Sequence, residues 1–235
     1  YACCCIYFVV SSKKKVYQAY SLIDSNFFKK SDLNIKNVSR ETFNDLNDYI
    51  VSVIHKNSEI NLISKSSEVS INTRHLLDSA QIIDFIDKKD IKLCTDLGSG
   101  AGFPGIVLAI LMKTKNPLFK VIFYEKSFHK CNFLKGVSRK LKLNSKINQK
   151  NIFKEKNLTT DIIISRAFKP LPIIFEIAFK NFKKFKYIII FLGRSGKEIL
   201  KDAKKKWNFD YEKKESITSD GSVVIKISNL KKKNG

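Results

Sequence analysis

The chain has 235 residues, of which 43% are hydrophobic and 11% aromatic; this allows one sizeable domain with its own core and excludes a disordered polymer. Its formal charge is +22, from 44 Lys and Arg against 22 Asp and Glu, and such an excess favours a polyanionic partner. Part of that excess follows from the general abundance of Lys, Asn and Ile, the bias of AT-rich coding.

Cys3, Cys4 and Cys5 are adjacent, whereas Cys94 and Cys131 stand alone in apolar surroundings. No CxxC pair recurs and the count is odd, so neither a metal site nor a disulfide framework is indicated. Cys94 and Cys131 read as small buried apolar residues of a reduced, cytoplasmic protein. The apolar stretch Tyr1–Val10 is too short to span a bilayer, and the basic run Lys13–Lys15 follows it, where a signal peptide has its charge in front. Residues 1–32 are therefore set aside as a non-homologous or fragmentary extension, poorly ordered, with no membrane role.

An N-terminal helical part is expected over residues 33–88. Ser39 is a good helix N-cap with Glu41 in the first turn, and Phe43, Leu46, Ile50, Val53 and Ile54 follow at helical spacing. A second helix runs through Leu76, Leu77, Ala80, Ile83 and Phe85. From Ile91 short apolar strands alternate with helices. Strands are expected at Lys92–Asp96, Lys120–Glu125, Asp161–Ser165 and Tyr187–Leu192, and helices at Gly105–Met112, Phe128–Leu141 and Leu171–Phe182. "DIIIS" and "YIIIFL" are continuous apolar runs, as in strands buried on both faces. This alternation implies an α/β fold with a mostly parallel sheet. A helix near Lys197–Lys206 precedes strands Trp207–Lys213 and Ser222–Ser228, joined through Ser219-Asp220-Gly221; they read as an antiparallel hairpin. Residues 89–230 thus form one expected domain, with 231–235 a tail. A parallel sheet ending in a hairpin fits the class I methyltransferase variant of the Rossmann-like fold better than a plain dinucleotide-binding fold.

The strongest local signal is "TDLGSGAGFPG", Thr95–Gly105, between a strand and a helix. Its glycines allow positive φ and close approach of a ligand. Gly100–Gly105 formally satisfies GxGxxG, which is weak by itself. Asp96, two positions ahead of the first glycine, gives the order D-x-G-x-G-x-G of the first methyltransferase motif. In that motif the acid helps place the methionyl end of S-adenosylmethionine, and the glycines, Gly98 and Gly100 among them, leave room for the adenosine. No phosphate has to be bound. Glu125 ends the second strand, where a carboxylate can accept hydrogen bonds from ribose hydroxyls.

With these residues in place the chain, from about Asn37 to Leu230, resembles the small-subunit ribosomal RNA methyltransferase G family, also called glucose-inhibited division protein B. The resemblance rests on "NLISKSSEVSINTRHLLDS" (Asn61–Ser79), "DLGSGAGFPGIVLAI" (Asp96–Ile110), "EKSFHKCNFL" (Glu125–Leu134) and "DIIISRAFKPL" (Asp161–Leu171). It implies transfer of a methyl group from S-adenosylmethionine to N7 of one guanine in small-subunit rRNA, free or in an assembling small subunit, with no metal. It also implies cofactor contacts at Gly98 and Phe103, adenine flanked by Ile152 and Phe153 after a third strand, and Arg166 closing the site. The chain departs from the family at Asn151, where an arginine is frequent, and at Leu192, where a lysine is common; Arg194 is a candidate to replace that cation.

Guanine N7 carries a lone pair and no proton, so its methylation requires no general base. His75 and Asp78, at i and i+3, are accordingly expected to orient their helix or touch RNA. Arg166 is expected beside the target, near O6 or a phosphate. The lysine-rich stretch with Lys183, Lys184, Lys186, Arg194, Lys204, Lys205 and Lys206, together with Arg139 and Lys140, offers phosphate contacts beyond its solvated face. Phe103 and Phe168 are the candidates for stacking on a base. The alternatives are a methyltransferase of another RNA, a protein or a small molecule, a nicotinamide-dependent oxidoreductase, and an RNA-binding module without catalysis.

Overall fold

The computed structural model describes residues 23, 27, 28, 38–87 and 89–233. The expectations for Cys3–Cys5 and for most of the N-terminal stretch lie outside them. Two buried residues fall within the segment set aside: Ile23 and Phe28 pack in the core. The Ile23 backbone exchanges two hydrogen bonds with the Asn47 side chain, at 2.9 and 3.0 Å. Part of the expected extension therefore packs with the domain, through apolar side chains that its lysine-rich surroundings hide in the sequence.

Helix α1 (Arg40–Asn57) starts as expected, Ser39 Oγ accepting from the Thr42 N–H, and buries Phe43, Leu46, Tyr49, Ile50, Val53 and Ile54. A short α2 (Lys65–Glu68) follows. The second expected helix is present but irregular: a π-helical turn (Asn72–Leu77), one α turn α3 (Asp78–Ala80) and a 3₁₀ turn (Gln81–Phe85). Irregular winding of this kind is frequent at functional sites.

The sheet contains β1 (Leu93–Leu97), β2 (Lys120–Glu125), β3 (Ser145–Gln149), β5 (Ile162–Ser165), β7 (Tyr187–Leu192), β8 (Trp207–Glu215) and β9 (Val223–Lys232) in the order β3-β2-β1-β5-β7-β9-β8. The first five of these strands pair in parallel. Strand β9 is antiparallel to both β7 and β8, so the expected hairpin is inserted with its second strand inward. Strands β4 (Leu158–Thr159) and β6 (Phe182–Lys184) form a separate two-stranded ribbon that no sequence signal announced. Periodicity also missed β3: "SKINQ" has a single apolar residue, because it is an edge strand and half-solvated.

Helices α4 (Gly105–Lys113), α5 (Phe128–Lys140), α6 (Leu171–Asn181) and α7 (Gly196–Lys206) agree with the expected spans to within a residue or two. Alternate strand residues enter two cores. Ile162, Ile164 and Ile189 pack with α1, α4 and the 71–86 segment; Ile163, Ile188 and Ile190 pack with α6 and α7. Both strand faces are covered, which is why these runs are uninterruptedly apolar. Strand order reverses about β1, and in open α/β sheets a ligand crevice forms at the strand C-termini beside such a point.

Candidate functional site

At that position lies a cavity of about 480 Å³, within the range of sites for small ligands and cofactors. Gly98, Gly100, Phe103, Glu125, Ile152, Phe153 and Arg166, all singled out from the sequence, line it. Asp96 does not. It is buried beneath the loop, where its Oδ2 accepts from the Gly105 N–H at 3.1 Å. Its Oδ1 has no partner among the described residues. Burial raises this carboxyl to about 7; the Gly105 N–H opposes the rise and the Glu125 charge adds to it.

The glycine loop is closed on itself. Gly98 and Ser99 N–H groups both donate to the Tyr124 carbonyl (3.0 and 3.2 Å), Gly100 N–H to Glu125 Oε2 (2.9 Å) and Gly102 N–H to the Ser99 carbonyl (2.7 Å). With Gly105 committed to Asp96, five of the loop's N–H groups are bonded within the protein, whereas a phosphate-binding loop must leave its N–H groups free. The dinucleotide alternative loses its anion site here. Gly98, Gly100 and Gly102 all have positive φ. A Cβ on Gly98 would come within 2.1 Å of the Phe168 ring, whereas one on Gly100 would meet nothing nearer than 3.9 Å. Gly98 thus admits a neighbouring ring, and Gly100 leaves the open space in front of the loop unfilled.

Glu125 holds two loops at once: Oε2 takes Gly100, and Oε1 accepts from the Lys126 and Ser127 N–H groups at 2.7 and 2.8 Å. It still faces the cavity, with one lone pair to spare on Oε2 for a hydroxyl. Ile152 and Phe153 project from a 3₁₀ turn (Ile152–Lys154), Ile152 buried and Phe153 exposed. Asn151, the departure noted above, caps that turn, its Oδ1 accepting from the Phe153 N–H. Buried Asn181, with no sequence signal to mark it, donates to the Ile152 and Glu155 carbonyls at 2.6 and 2.7 Å and fixes the same turn.

Arg166 ties the helical segment over the cavity. Its Nε pairs with Asp78 at 2.9 Å, Nη2 donates to the Arg74 carbonyl at 2.6 Å and Nη1 to His75 Nδ1 at 3.1 Å. Asp78 Oδ1 in turn accepts from Gln81 and Thr218, both at 2.7 Å, which brings the β8–β9 loop into the knot. Because an arginine only donates, His75 Nδ1 is an acceptor; Nε2 then carries the proton and donates to Ser67 Oγ at 2.9 Å. Burial, then the Arg166 and Arg74 charges, lower this imidazole to about 4. His75 and Asp78 therefore orient the helix, as expected.

Two expectations are corrected, and the expected phosphate-contacting cations are found away from the cavity. Phe103 does not offer a free face for stacking: it is buried between Tyr49 and His75, each ring centroid 5.0 Å away. Tyr49, absent from the sequence reading, also donates to the Ala101 carbonyl at 3.0 Å and so pins the loop to α1. Arg194 is not on the cavity wall; its stem lies against the turn at Gly221. Lys183, Lys184 and Lys186 precede β7 and so flank the N-terminal ends of the strands, away from the cavity. Lys140 pairs with Asp48 at the far end of α5. The lysines on the cavity are Lys126, Lys130, Lys150 and Lys169, none of which the sequence singled out.

A profile of the rRNA small subunit methyltransferase G family, GidB, matches residues 42–226. The chain belongs to that family. It is 46% identical over 204 residues to "Ribosomal RNA small subunit methyltransferase G" of Pelagibacter ubique, covering 86% of this chain and 95% of that protein. The protein of the same name from Ruegeria pomeroyi is 36% identical over 200 residues, 85% and 97% of the two chains. Among solved structures, a SAM-dependent methyltransferase from Aquifex aeolicus superposes with a TM-score of 0.51 at 17% identity, over 71% of this chain and 95% of that one. The 16S rRNA methylase RmtB gives 0.50 at 11% identity, over 81% and 75%. The fold is the class I methyltransferase fold, and the enzyme is an S-adenosylmethionine-dependent methyltransferase. Among the described residues no group of three or more His, Cys, Asp or Glu could hold a metal ion, and no helix is long and apolar enough to cross a membrane.

Proposed function

We propose that this enzyme methylates N7 of one guanine in small-subunit ribosomal RNA, acting in the cytoplasm on the rRNA or on an assembling small subunit. When bound, S-adenosylmethionine supplies an electrophilic methyl group. In this reading Gly98 and Gly100 clear the space for it, Glu125 accepts from the ribose hydroxyls, and Ile152 and Phe153 flank the adenine. Phe103 forms the floor, Asp96 acts from beneath by holding Gly105 and the loop, and Arg166 closes the side toward the target. Residues 33–88 form the helical cover and 89–230 the methyltransferase domain.

The observation that carries the N7 assignment is the state of His75, the only histidine on the cavity wall. Its Nδ1 lone pair is taken by Arg166 and its Nε2 holds a proton, so it has no vacant base nitrogen to offer. A target atom with its own lone pair needs none; an exocyclic amine or a ribose hydroxyl has a proton to lose. The test is transfer of labelled methyl to deproteinised small-subunit rRNA and to small-subunit particles, with the product mapped to the atom. Label on guanine N7 is the expected result, and label on a ribose or an exocyclic amine would overturn it.

A further inference from the structure

The four cavity lysines are not equivalent. Lys150 pairs with Glu155 at 3.0 Å, whereas Lys126, Lys130 and Lys169 have no acidic partner among the described residues. Lys126 follows β2, Lys130 lies in the first turn of α5 and Lys169 follows β5, so all three stand at the strand C-termini. Between the first two is Phe128, the first residue of α5, 58% exposed and more open than Phe153 at 48%. Its ring meets the edge of His129, with centroids 5.7 Å apart. The turn that carries it is rigid, because the Lys126 and Ser127 N–H groups bind the same Glu125 that faces the cavity, and Ser127 caps α5.

A single exposed ring is ordinary on a protein surface. Phe128 does not itself line the cavity, but in sequence it stands between Lys126 and Lys130, two cavity-wall cations with no acidic partner among the described residues, and charge beside an exposed aromatic face is the pairing that single-stranded nucleic acid requires. The chemistry of the target points the same way. N7 lies in the deep, narrow major groove of A-form RNA, which side chains do not reach, so the guanine must be unpaired or turned out of its stack. A neighbouring base then loses its stacking partner.

We propose that the β2–α5 turn is the RNA-docking edge of this enzyme: Phe128 stacks on an unpaired base next to the target nucleotide, and Lys126, Lys130 and Lys169 hold the adjoining phosphates. This rests on the rRNA methyltransferase reading above.

Three variants test it with deproteinised small-subunit rRNA as the probe. Phe128→Ala should weaken rRNA affinity roughly fivefold to a hundredfold, leave S-adenosylmethionine affinity unchanged, and leave the salt dependence unchanged because the ring carries no charge. Lys126→Gln with Lys130→Gln should instead lower the slope of log affinity against log salt by about 1.4. Phe128→Trp should keep parental affinity and report directly: the chain's single Trp, Trp207, is buried, so quenching on rRNA addition seen in this variant and not in the parent marks stacking on the new indole. The proposal is overturned if the parent methylates rRNA while Phe128→Ala binds it as tightly and the indole emission stays constant. Equal quenching by a fully paired duplex would also overturn it. If the parent transfers no methyl to rRNA, the functional reading fails as well, and that outcome is distinguishable from the other two.

Discussion

The two ends of the parallel sheet carry similar residues and are built for different purposes. At the C-terminal end, between β1, β2 and β5, the two acids and the arginine are tied down: Glu125 to three N–H groups, Asp96 to Gly105, Arg166 to three partners on one helical segment. At the N-terminal end Lys183 and Lys184 are exposed, and the Lys186 ammonium donates to the Asp90 carbonyl at 3.3 Å. Acids lie there too. Asp87 accepts from the Lys89 and Asp90 N–H groups, which lower its carboxyl, the reverse of the buried Asp96. With about 3.3 Å per residue, the six residues of β7 separate the two ends by about 20 Å, beyond a Debye length at physiological salt. A lysine count cannot tell these ends apart; topology does.

The contrast predicts how variants divide. Gly100→Val places a side chain at a positive-φ position in the open front of the loop. Calorimetry should show S-adenosylmethionine affinity reduced by more than about a hundredfold in a chain that remains folded by circular dichroism, since the space filled is the ligand's. The triple change Lys183→Gln, Lys184→Gln and Lys186→Gln, at the other end, should leave that affinity as it was. Undiminished binding in Gly100→Val would move the cofactor site elsewhere.

Arg166→Ala should reduce single-turnover methyl transfer strongly. It should also lower unfolding free energy by about 3 kcal/mol, because it strands Asp78 in a largely buried place. Lys186→Ala, by comparison, should stay within about 0.5 kcal/mol. His75→Gln should cost the chemical step little. With both substrates saturating, the rate should be level from about pH 6 to pH 9; a steep rise near pH 6.5, lost in His75→Gln, would refute a base-free reaction.

Asp96 adds a pH signature that only the cavity end can have. Its folded pKa, about 7, is raised above the ordinary carboxylate value of 3.8. Between those two values the folded protein holds a proton that the unfolded chain has released, so this group makes stability fall as pH rises through the window, with no further change above it. Asp96→Asn removes that slope. Urea unfolding should show the variant gaining on the parent by roughly 2–3 kcal/mol from pH 5 to pH 8. Parallel pH dependences would mean that the carboxyl titrates normally.

The smallest effect is expected from the Lys183, Lys184 and Lys186 triple change on rRNA binding itself. The sequence alone favours this run as a phosphate grip. Its position predicts a change in salt slope well below the roughly 2 expected if all three met phosphates. A drop near 2 would mean that the RNA wraps round to the far end of the sheet.

Much of this was written in local residue types. The run Asp96–Gly105, the strand-ending Glu125, the Ser39 cap and the all-apolar "DIIIS" and "YIIIFL" announce their roles because each is decided by neighbours a few residues away: a turn that needs glycine, a helix end that needs an acceptor, a strand covered on both faces. So the fold class, the glycine loop and part of the cavity wall were determined by the sequence itself. What depends on residues far apart in the chain was decided only when the sheet assembled. Tyr49 meets Ala101 across 52 positions and Arg166 meets His75 across 91, and no periodicity encodes either contact. Phe103, in a loop by sequence, is buried because α1 and the π-helical turn close on it. The same holds for charge: each lysine brings the same ammonium, and whether it faces a ligand, an acid or water is fixed by the end of the sheet at which its strand or helix begins.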